Sequence, residues 1–542
     1  MTGAGSDRYV IGIDVGTGSA RAGLFDLSGS LKGLSKHDIS LFHEDANFYE
    51  QSSEDIWQAI SACVRGVISE SGVDPSKVAG IGVDATCSLV VVRQDGSPVP
   101  VGNPDRPERN IIVWMDHRAI EQAERINAMG HDVLRYVGNR ISPEMETPKL
   151  LWLKENRPAA FEAAAHFFDL ADYLTWRATG SLDRSICTTT CKWTYLGHER
   201  RWDENYFQAI GLPELADEGF SRIGSRIVDA GNAVGKGLTD SAAADLGLVA
   251  GTPVAAGLID AHAGGIGTVG AAGQGSVTSR MAYVFGTSAC TMTSTVEPAF
   301  VPGVWGPYFS AMVPGLWLSE AGQSAAGAAI DHLIAFHPAA AEATERAKEA
   351  KSGLAAWLAE QALQMAKEPS RVALLADGLH IVPEFLGNRA PFADPDARGM
   401  IAGLDMDRSI SSLVKLYIAG VCGLGYGLRQ IIEAQHAQGV DVDTIVVSGG
   451  AGQNALVRQL LADTTNVRVT APKTDEPVLL GSAMLGSVAG GCYPDLANAM
   501  SSMSAMGNVY NPAAGELSDW HRRRYEGFQL LQNTGRKLRS MR

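Results

Sequence analysis

Two segments of the chain share a pattern of apolar runs interrupted by a short turn of glycine and hydroxyl residues. In the first, the apolar run at 9–15 meets a turn at 16–19, and a second apolar run continues to residue 26. In the second, an apolar run starts at residue 281 and is interrupted at 286–288. Such runs predict strand–turn–strand hairpins. Since the two turns lie about half of the 542-residue chain apart, the pattern predicts a duplicated architecture.

Three further apolar runs predict short strands that end in small or polar residues. They lie at 78–84, 253–259 and 444–448, and a helical pattern over 455–462 follows the last of them. Open α/β sheets bind ligands in the loops that follow the carboxyl ends of their strands. The fold class is therefore predicted to be α/β, with candidate ligand loops after each of these runs.

The spacing of apolar residues along the chain also predicts two long helices. Residues 52–71 have apolar positions at helical spacing, and Ser52 with Asp55 resembles a capping box at the start. Residues 413–433 predict a second helix. Three glycines share one of its faces: Gly420, Gly423 and Gly427. Because each glycine costs a helix roughly 0.5–1 kcal/mol, we expect this bare face to press against another backbone.

The Gly/Ala-rich segment 264–275 separates the two halves. We place the domains at 1–268, 269–505 and a C-terminal tail at 506–542, which we expect to pack as a helix or to fray. The Ala-rich stretch 338–366 predicts a helical insert with no evident chemistry.

Composition and net charge limit the classes of function and partner that the chain can have. Glycine accounts for 60 residues and charged residues for only 19%, which suits an enzyme with many tight turns near a ligand. The net charge of −15 argues against a nucleic-acid partner, although it permits a local phosphate pocket. No stretch of 18 apolar residues occurs, so we expect no membrane partner.

The seven cysteines are odd in number and scattered along the chain, which disfavours a disulfide framework. We therefore expect reduced thiols and a cytoplasmic protein. Cys187 and Cys191 have no matching second pair for zinc, and we interpret them as buried thiols. The oligomeric state stays open, with a homodimer as one option.

The two hairpin turns are candidate phosphate sites. The first offers backbone N–H groups and hydroxyls from Gly16, Thr17, Gly18 and Ser19. The second offers Gly286, Thr287 and Ser288. Asp14 precedes the first turn, and its charge repels a bare phosphate unless Mg²⁺ bridges the two. The alternative for each turn is an ordinary hairpin.

A third glycine-rich turn contains Gly449, Gly450 and Asn454, after the strand at 444–448 and before a helix. Backbone amides at a helix N-terminus bind anions or the edge of a flat heterocycle. A tight strand-to-helix turn without a ligand is the equal alternative.

Candidate catalytic chemistry lies at the end of the run 253–259. Asp260 there would point into a cleft and act as a general base on a hydroxyl, unless it caps the next helix. His262 fits a packed or capping histidine better than a catalyst. Glu320 and Lys192 offer an acid and a cation, with solvated or core-edge residues as the alternative.

Two nucleotide motifs are missing or misplaced. The chain has no Walker A sequence. Gly265, Gly267 and Gly270 fit a dinucleotide spacing, but no strand directly precedes them and no acid follows at about 20 residues. We interpret them as a chance match, which disfavours an NAD-linked oxidoreductase.

Taken together, eight segments resemble the FGGY carbohydrate kinases of the actin/Hsp70/sugar-kinase superfamily, in family order over about residues 8–500. They are 14–20, 114–118, 149–156, 260–262, 286–288, 398–404, 449–454 and 476–484. The resemblance implies two ribonuclease-H-like domains with a deep cleft, ATP mainly on the C-terminal side and sugar mainly on the N-terminal side. It also implies Asp260 as the base, Asp14 near Mg²⁺, Thr287 near the transferred phosphoryl group, and Gly450 and Asn454 near the adenosine.

Four segments resemble the ribulokinase and D-ribulokinase type of pentulose kinase: 83–88, 191–193, 320–324 and 384–391. This resemblance implies a ketose site formed by Asp84, Cys87, Lys192, Asp260 and Glu320. Two features depart from general family patterns, the residues 144–148 before Lys149 and a Cys87 region that is not the Gln-Met-His of xylulokinases.

The expected function is ATP- and Mg²⁺-dependent phosphorylation of a ketopentose, D-ribulose to D-ribulose 5-phosphate. Another pentulose or a pentitol (L-ribulose, xylulose, ribitol) is the alternative substrate. A non-catalytic ATP-binding protein of the actin/Hsp70 type is the alternative class, and it would need neither Asp260 nor Lys192.

Overall fold

The computed structural model describes residues 7–273 and 275–541. In chain order, its strands are Tyr9–Val15 (β1), Ser19–Asp26 (β2), Leu31–Asp38 (β3), Phe42–Asp45 (β4), Phe48–Gln51 (β5), Val78–Ala85 (β6), Leu89–Val92 (β7), Ile111–Ile112 (β8), His166–Asp169 (β9), Arg184–Ser185 (β10), Ile227–Val228 (β11), Leu258–Ile259 (β12), Arg280–Phe285 (β13), Ala289–Thr295 (β14), Trp305–Phe309 (β15), Trp317–Gln323 (β16), His380–Val382 (β17), Met400–Ala402 (β18), Thr444–Ser448 (β19), Arg468–Pro472 (β20) and Met506–Tyr510 (β21).

The α-helices are Ser53–Ser71 (α1), Ile120–Met129 (α2), Glu146–Asn156 (α3), Pro158–Ala163 (α4), Leu170–Thr179 (α5), Ile186–Lys192 (α6), Glu204–Ile210 (α7), Pro213–Asp217 (α8), Asp240–Leu246 (α9), Asp260–Val269 (α10), Gly327–Phe336 (α11), Ala340–Glu349 (α12), Leu354–Ala366 (α13), Ile410–His436 (α14), Ala455–Thr465 (α15), Pro477–Ala489 (α16), Leu496–Met503 (α17) and Glu516–Ser540 (α18).

Both halves are built on the same sheet pattern. In the first sheet, with order β12-β6-β1-β2-β3, the antiparallel β1–β2 hairpin continues into β3, and β6 and β12 add in parallel on the other side. In the second, β13–β14 continues into β16, and β19 and β20 add in parallel, with β15 and β21 at the edges. The predicted hairpins and the duplicated α/β architecture are confirmed.

The register of the first sheet brings acidic residues to one edge. Asp14 on β1 lies opposite Arg21 on β2 and beside Asp84 on the parallel strand β6. Ile259 ends β12 beside Ala85, so Asp260 follows directly at the same edge. The parallel strands therefore present three carboxyl groups at their carboxyl ends, where open α/β sheets bind ligands.

Both long helices form as predicted. The Ser52 side chain accepts a hydrogen bond from Asp55 N and caps α1, which ends at Gly72 in the left-handed conformation. In α14, a Cβ atom on Gly423 would lie 2.5 Å from the Ile381 carbonyl oxygen. The predicted contact with another backbone is thus confirmed for Gly423, whereas Gly420 lies against the Leu333 side chain and Gly427 against the Gln323 side chain.

Helix α14 is also long and apolar enough to cross a membrane, as judged by length and composition alone. In the structure, 72% of its most apolar window is buried inside the protein. It packs against α11, α13 and α15 beside the second sheet, so it serves as a core helix.

Helices α10 and α16 join the two halves. A Cβ on Gly82 would lie 1.7 Å from the Ser482 carbonyl oxygen, and one on Gly481 would lie 1.9 Å from the Ala263 carbonyl oxygen. Only glycine permits such close approach, so α16 lies directly on β6 and α10. Gly265 and Gly267 are inside α10 and pack there, which is consistent with a chance dinucleotide match.

One prediction about elements needs correction, and the predicted helical insert is confirmed. The run 253–259 forms a strand only at Leu258–Ile259, because Pro253 has no N–H to donate and Val254 contributes a single bridge to Ile81. The Ala-rich stretch 338–366 forms α12 and α13, and the start of α13 contributes to a cavity described below. The tail packs as the 25-residue helix α18.

Candidate active site

A cavity of about 240 Å³ lies between the two sheets. Six of the predicted site residues line it: Thr17, Cys87, Lys192, Asp260, Ser288 and Glu320. Thr17 and Ser288 come from the turns of the two homologous hairpins. The duplicated hairpins therefore meet at one site, although their turns lie about half of the chain apart.

Each turn is closed by a backbone hydrogen bond from its first glycine, across four residues in the first turn and three in the second. Gly16 N donates to Ser19 O at 3.0 Å, and Gly286 N donates to Ser288 O at 3.0 Å. The first turn is further held by Trp114, whose indole Nε1 donates to Thr17 Oγ1 at 3.0 Å. Hydrogen bonds within the protein thus hold both turns in place.

Asp260 is the first residue of α10 and lines the cavity. The N-cap position belongs to Ile259, so Asp260 is not the capping residue of the helix. Its Oδ1 accepts a hydrogen bond from Ala261 N at 2.7 Å. Burial, together with the nearby Asp14 charge, raises the pKa of Asp260 to about 6. A carboxylate with this pKa is well suited to accept a proton from a hydroxyl group near neutral pH.

Asp84 lies behind the cavity wall and does not line it. It is fully buried, its Oδ2 accepts a hydrogen bond from the Ser482 hydroxyl, and its Oδ1 has no hydrogen-bond partner in the part of the chain that the structure describes. Burial and the neighbouring Asp14 raise its pKa well above the usual value. The structure does not bring Asp84 to the predicted sugar position, because the side chain is enclosed between β6 and α16.

Asp14 is held by Arg21, which also reaches the other half of the chain. Arg21 Nε donates to Asp14 Oδ2 at 2.8 Å, and Arg21 Nη1 donates to Glu476 Oε2 at 2.8 Å. Glu476 directly precedes α16. The arginine therefore links the carboxylate at the sheet edge to the helix that joins the two halves.

The sheet edge that carries Asp14, Asp84 and Asp260 fits a metal ion only when phosphates supply further ligands. Among the described residues, no group of three or more His, Cys, Asp or Glu side chains is arranged to hold a metal ion alone. Mg²⁺ in proteins often takes one or two carboxylates together with substrate phosphates. The proximity of Asp14 to Asp84 and Asp260, and the unpartnered Asp84 Oδ1, match a place where a cation would relieve repulsion.

Glu320 and Lys192 form a charged wall of the cavity. Burial opposes ionisation of Glu320, but His262 and the Lys192 charge hold its pKa at about 2. His262 is buried behind Glu320, with Nε2 at 3.5 Å from Glu320 Oε2 and Nδ1 at 3.2 Å from Cys187 Sγ. The carboxylate is therefore ionised and held in place by a histidine that does not line the cavity.

A second cavity of about 850 Å³ lies on the C-terminal side. It is lined by Gly286, Thr287, Gly450 and Asn454 among the predicted residues. The second hairpin thus lies between the two cavities, with Thr287 facing one and Ser288 facing the other. Phosphates placed at this turn would be shared by ligands in both cavities.

Comparison with known proteins identifies the chain. The model of the FGGY family of carbohydrate kinases, N-terminal domain, matches residues 9–267, and the model of its C-terminal domain matches residues 281–490. This chain belongs to the FGGY family of carbohydrate kinases. It is accordingly a sugar kinase, a phosphotransferase.

Relatives of this kinase cover almost the whole chain. An FGGY carbohydrate kinase domain-containing protein of Homo sapiens is 44% identical over 534 residues, which is 97% of this chain and 96% of that protein. A D-ribulokinase of Saccharomyces cerevisiae is 40% identical over 513 residues, 89% of this chain and 72% of that protein. The solved xylulose kinase of Lactobacillus acidophilus matches the fold with a TM-score of 0.79 at 20% identity, covering 97% and 98% of the two chains.

Some predicted residues of this kinase do not line either cavity. Gly16, Gly18 and Ser19 shape the first turn, and Gly449 shapes the third. Gly449 has φ +87°, and a Cβ there would lie 2.6 Å from the Phe285 carbonyl oxygen. Asn454 caps α15 by accepting a hydrogen bond from Leu456 N at 2.9 Å, so it acts in the local turn as well as lining the cavity.

Sequence reasoning missed several residues of this kinase that line the cavities. In the smaller cavity they include Glu144, Trp305 and Arg389, and in the larger one they include residues 353–356 and Tyr417. Arg389 is part of a segment that resembles pentulose kinases, which could have signalled a role. Residues 353–356 carry no such signal, because small apolar residues at a helix start look like ordinary packing.

Proposed function

We propose that this kinase transfers the γ-phosphoryl group of ATP to the C5 hydroxyl of D-ribulose, giving D-ribulose 5-phosphate. One observation carries the proposal: Asp260 and both hairpin turns face the same small cavity as the charged wall of Lys192 and Glu320. A proton acceptor, phosphate-binding turns and polar groups for a sugar are thus within one enclosure.

The sizes of the two cavities support placing the sugar in the smaller cavity and the nucleotide in the larger one. Drug-sized ligands occupy pockets of roughly 300–1,000 Å³. The cavity at Asp260, at about 240 Å³, is below that range and suits a small polyhydroxyl compound. The cavity at Thr287 and Asn454, at about 850 Å³, is within it and suits a nucleotide.

The sugar assignment also draws on similarity. The Saccharomyces cerevisiae relative, 40% identical to this chain, is a D-ribulokinase, and bacterial ribulokinases are 30% identical over most of the chain. In the cavity, Lys192 would donate hydrogen bonds to sugar oxygens, Glu320 would accept them, and Cys87 would form part of the wall. Other pentuloses and pentitols remain the alternative substrates.

The proposed transfer needs a positioned base rather than a covalent intermediate. Asp260 accepts the proton of the C5 hydroxyl. The oxygen of that hydroxyl attacks the γ-phosphorus, and the bond between this phosphorus and the leaving ADP oxygen breaks. Thr17 and the turn at 286–288 bind the phosphoryl group from opposite sides. Closure of the two halves over the cavity would exclude water, which otherwise competes as acceptor.

Asp14 is the proposed holder of Mg²⁺, which when bound with ATP would neutralise charge on the phosphate oxygens. The assignment rests on the three neighbouring carboxyl groups described above. We assign residues 1–268 mainly to sugar binding, 269–505 mainly to ATP binding and 506–542 to the tail. We place the enzyme in the cytoplasm, because its seven cysteines are all unpaired.

The test measures ADP release with Mg-ATP over a panel of pentuloses, pentitols, glycerol and hexuloses. We expect D-ribulose to give the highest kcat/KM, with little ADP release in the absence of sugar. The product should carry its phosphate on C5 by phosphorus–carbon NMR coupling. Preferred turnover of glycerol or a hexulose, or ATP hydrolysis that does not depend on sugar, would contradict the proposal.

A further inference from the structure

Arg389 carries a cation from the C-terminal half into the smaller cavity. It lies in the loop between β17 and β18, and its guanidinium carbon is 5.3 Å from the centre of the Trp305 ring. Both side chains line the cavity. Within residues 7–273 and 275–541, no group accepts a hydrogen bond from Arg389. Its planar set of five N–H donors is therefore available to a ligand.

The charges around this arginine indicate the class of ligand. Glu144, Asp260 and Glu320 line the same cavity, against the two cations Lys192 and Arg389. An excess of carboxyl groups disfavours an anionic acceptor such as a sugar acid, because like charges in an enclosed site repel. An uncharged ketose or polyol has hydroxyl and carbonyl oxygens that accept hydrogen bonds from N–H groups, and it is not repelled by the carboxyl groups.

The backbone beside Arg389 is held within its own loop. Asn388 N donates to Asp394 O at 2.8 Å, and Asp394 N donates to Asn388 O at 2.8 Å. Asn388 Nδ2 also donates to Glu384 Oε1 at 2.6 Å. The position of the residue directly before Arg389 is thus set by Glu384 and Asp394.

Helix α18 holds these same two acidic residues from outside the loop. Arg539 forms an ion pair with Asp394, and both side chains are partly buried, 27% and 22% exposed. Gln532 Nε2 donates to Glu384 Oε1 at 2.5 Å. The two contacts are two helical turns apart on α18, so one face of the helix spans the loop.

The helix is itself anchored to the body of the protein. Tyr525 Oη donates to Glu433 Oε2 of α14 at 2.6 Å. Arg524 Nη1 lies 2.8 Å from His380 Nε2, at the start of β17. Helix α18 lies beyond residue 490, where the match to the family model ends. It therefore connects the core helix α14 to the loop that carries Arg389.

We propose that Arg389 is a further sugar-binding residue, and that α18 is the element that positions it through Glu384 and Asp394. The inference rests on the proposed function, in that it takes the ligand of the smaller cavity to be the uncharged sugar acceptor. Arg389 touches the substrate, whereas Arg539 and Gln532 act only through the loop.

The first experiment measures hydrogen exchange of residues 384–398 in the unliganded full-length protein. Arg539→Ala should speed exchange in this loop. Arg522→Ala is the matched control, because Arg522 lies on the same helix and, among the described residues, pairs only with Asp519 and Glu526 of that helix. Unchanged exchange in Arg539→Ala, or equal acceleration in the control, overturns the positioning role of α18.

The second experiment measures KM for D-ribulose and for ATP separately. Arg389→Met should raise the sugar KM about tenfold, because a charged donor is lost, and should change the ATP KM by less than about twofold. Arg539→Ala should raise the sugar KM about threefold in the wild-type background and cause no further rise in Arg389→Met. Arg522→Ala should match the wild type.

Additive effects of the two substitutions, or an equal rise in the KM for ATP, overturn the inference. A wild-type enzyme that phosphorylates no pentulose contradicts the proposed function and with it the role of Arg389. An active wild type whose variants retain the wild-type sugar KM contradicts only the inference.

Discussion

His262 Nε2 lies 3.5 Å from Glu320 Oε2, and through this contact a residue of the first half orients a carboxylate of the second half that lines the smaller cavity. Burial opposes a charge on His262, but Cys187 and Glu320 raise the pKa of the imidazole above its usual value. The ion pair therefore crosses from α10 to β16 behind the cavity. It keeps Glu320 ionised.

The His262→Phe variant tests this contact, because phenylalanine keeps a planar ring but has no N–H to donate to Glu320. Loss of a hydrogen bond to a charged group costs about 1.5–3 kcal/mol, so we expect the sugar KM to rise about tenfold or more. The ATP KM should stay near the wild-type value, because His262 does not line the larger cavity. Steady-state kinetics with each substrate varied in turn provides the measurement, and a thermal melt checks folding. A rise in both KM values would instead indicate a general disturbance of the cleft.

The Asp260→Asn variant tests the proposed base. An amide keeps the shape of the side chain but cannot accept the hydroxyl proton, so kcat should fall by roughly 10²–10⁴. Sugar binding, followed by isothermal titration, should persist. Near-normal turnover would remove Asp260 from the catalytic role.

The pH dependence of the reaction should report on the same residue. Asp260, with a pKa of about 6, is ionised above that pH and protonated below it. Only the ionised form accepts a proton, so kcat/KM for the sugar should be level above pH 6 and fall as pH drops through about 6. Titrations of sugar binding over the same range separate loss of binding from loss of the base. A profile that stays level down to pH 5 would be inconsistent with this assignment.

The start of α13 should form a wall of the proposed nucleotide site in the larger cavity. Ala355 lines that cavity, and its replacement by tryptophan should occupy part of the space and raise the ATP KM by about tenfold. The sugar KM should change little. Gln364→Trp is the matched control, since Gln364 is exposed on the same helix and does not line the cavity. Equal ATP affinity in Ala355→Trp and the control would place the nucleotide elsewhere.

Much of the local structure could be predicted because its causes lie within a few residues. The Gly-Thr turns between apolar runs form the two hairpins, and Ser52 caps α1 through the residue three positions later. Asp260 could be placed at the end of an apolar run even though most of that run is not a strand. The FGGY fold itself follows from segments whose order along the chain is already visible.

The wall of the site could not be predicted in the same way. Arg389 reaches the smaller cavity from a loop that α18, near the end of the chain, contacts at Glu384 and Asp394, more than 140 residues away along the sequence. The start of α13 has no polar residue that would indicate a ligand site. It lines the larger cavity because α13 packs against α14. Asp84 falls outside the cavity because α16 covers it.

The sequence by itself determined the hairpins, the two long helices, the family and the position of Asp260 after an apolar run, since hydrogen bonding in turns and caps and the spacing of apolar residues act over short distances along the chain. Only the tertiary structure decided which side chains meet in the cleft. Contacts such as that of His262 with Glu320 depend on how α10 and β16 pack, and packing is set by the summed burial of surfaces from both halves rather than by neighbouring residues.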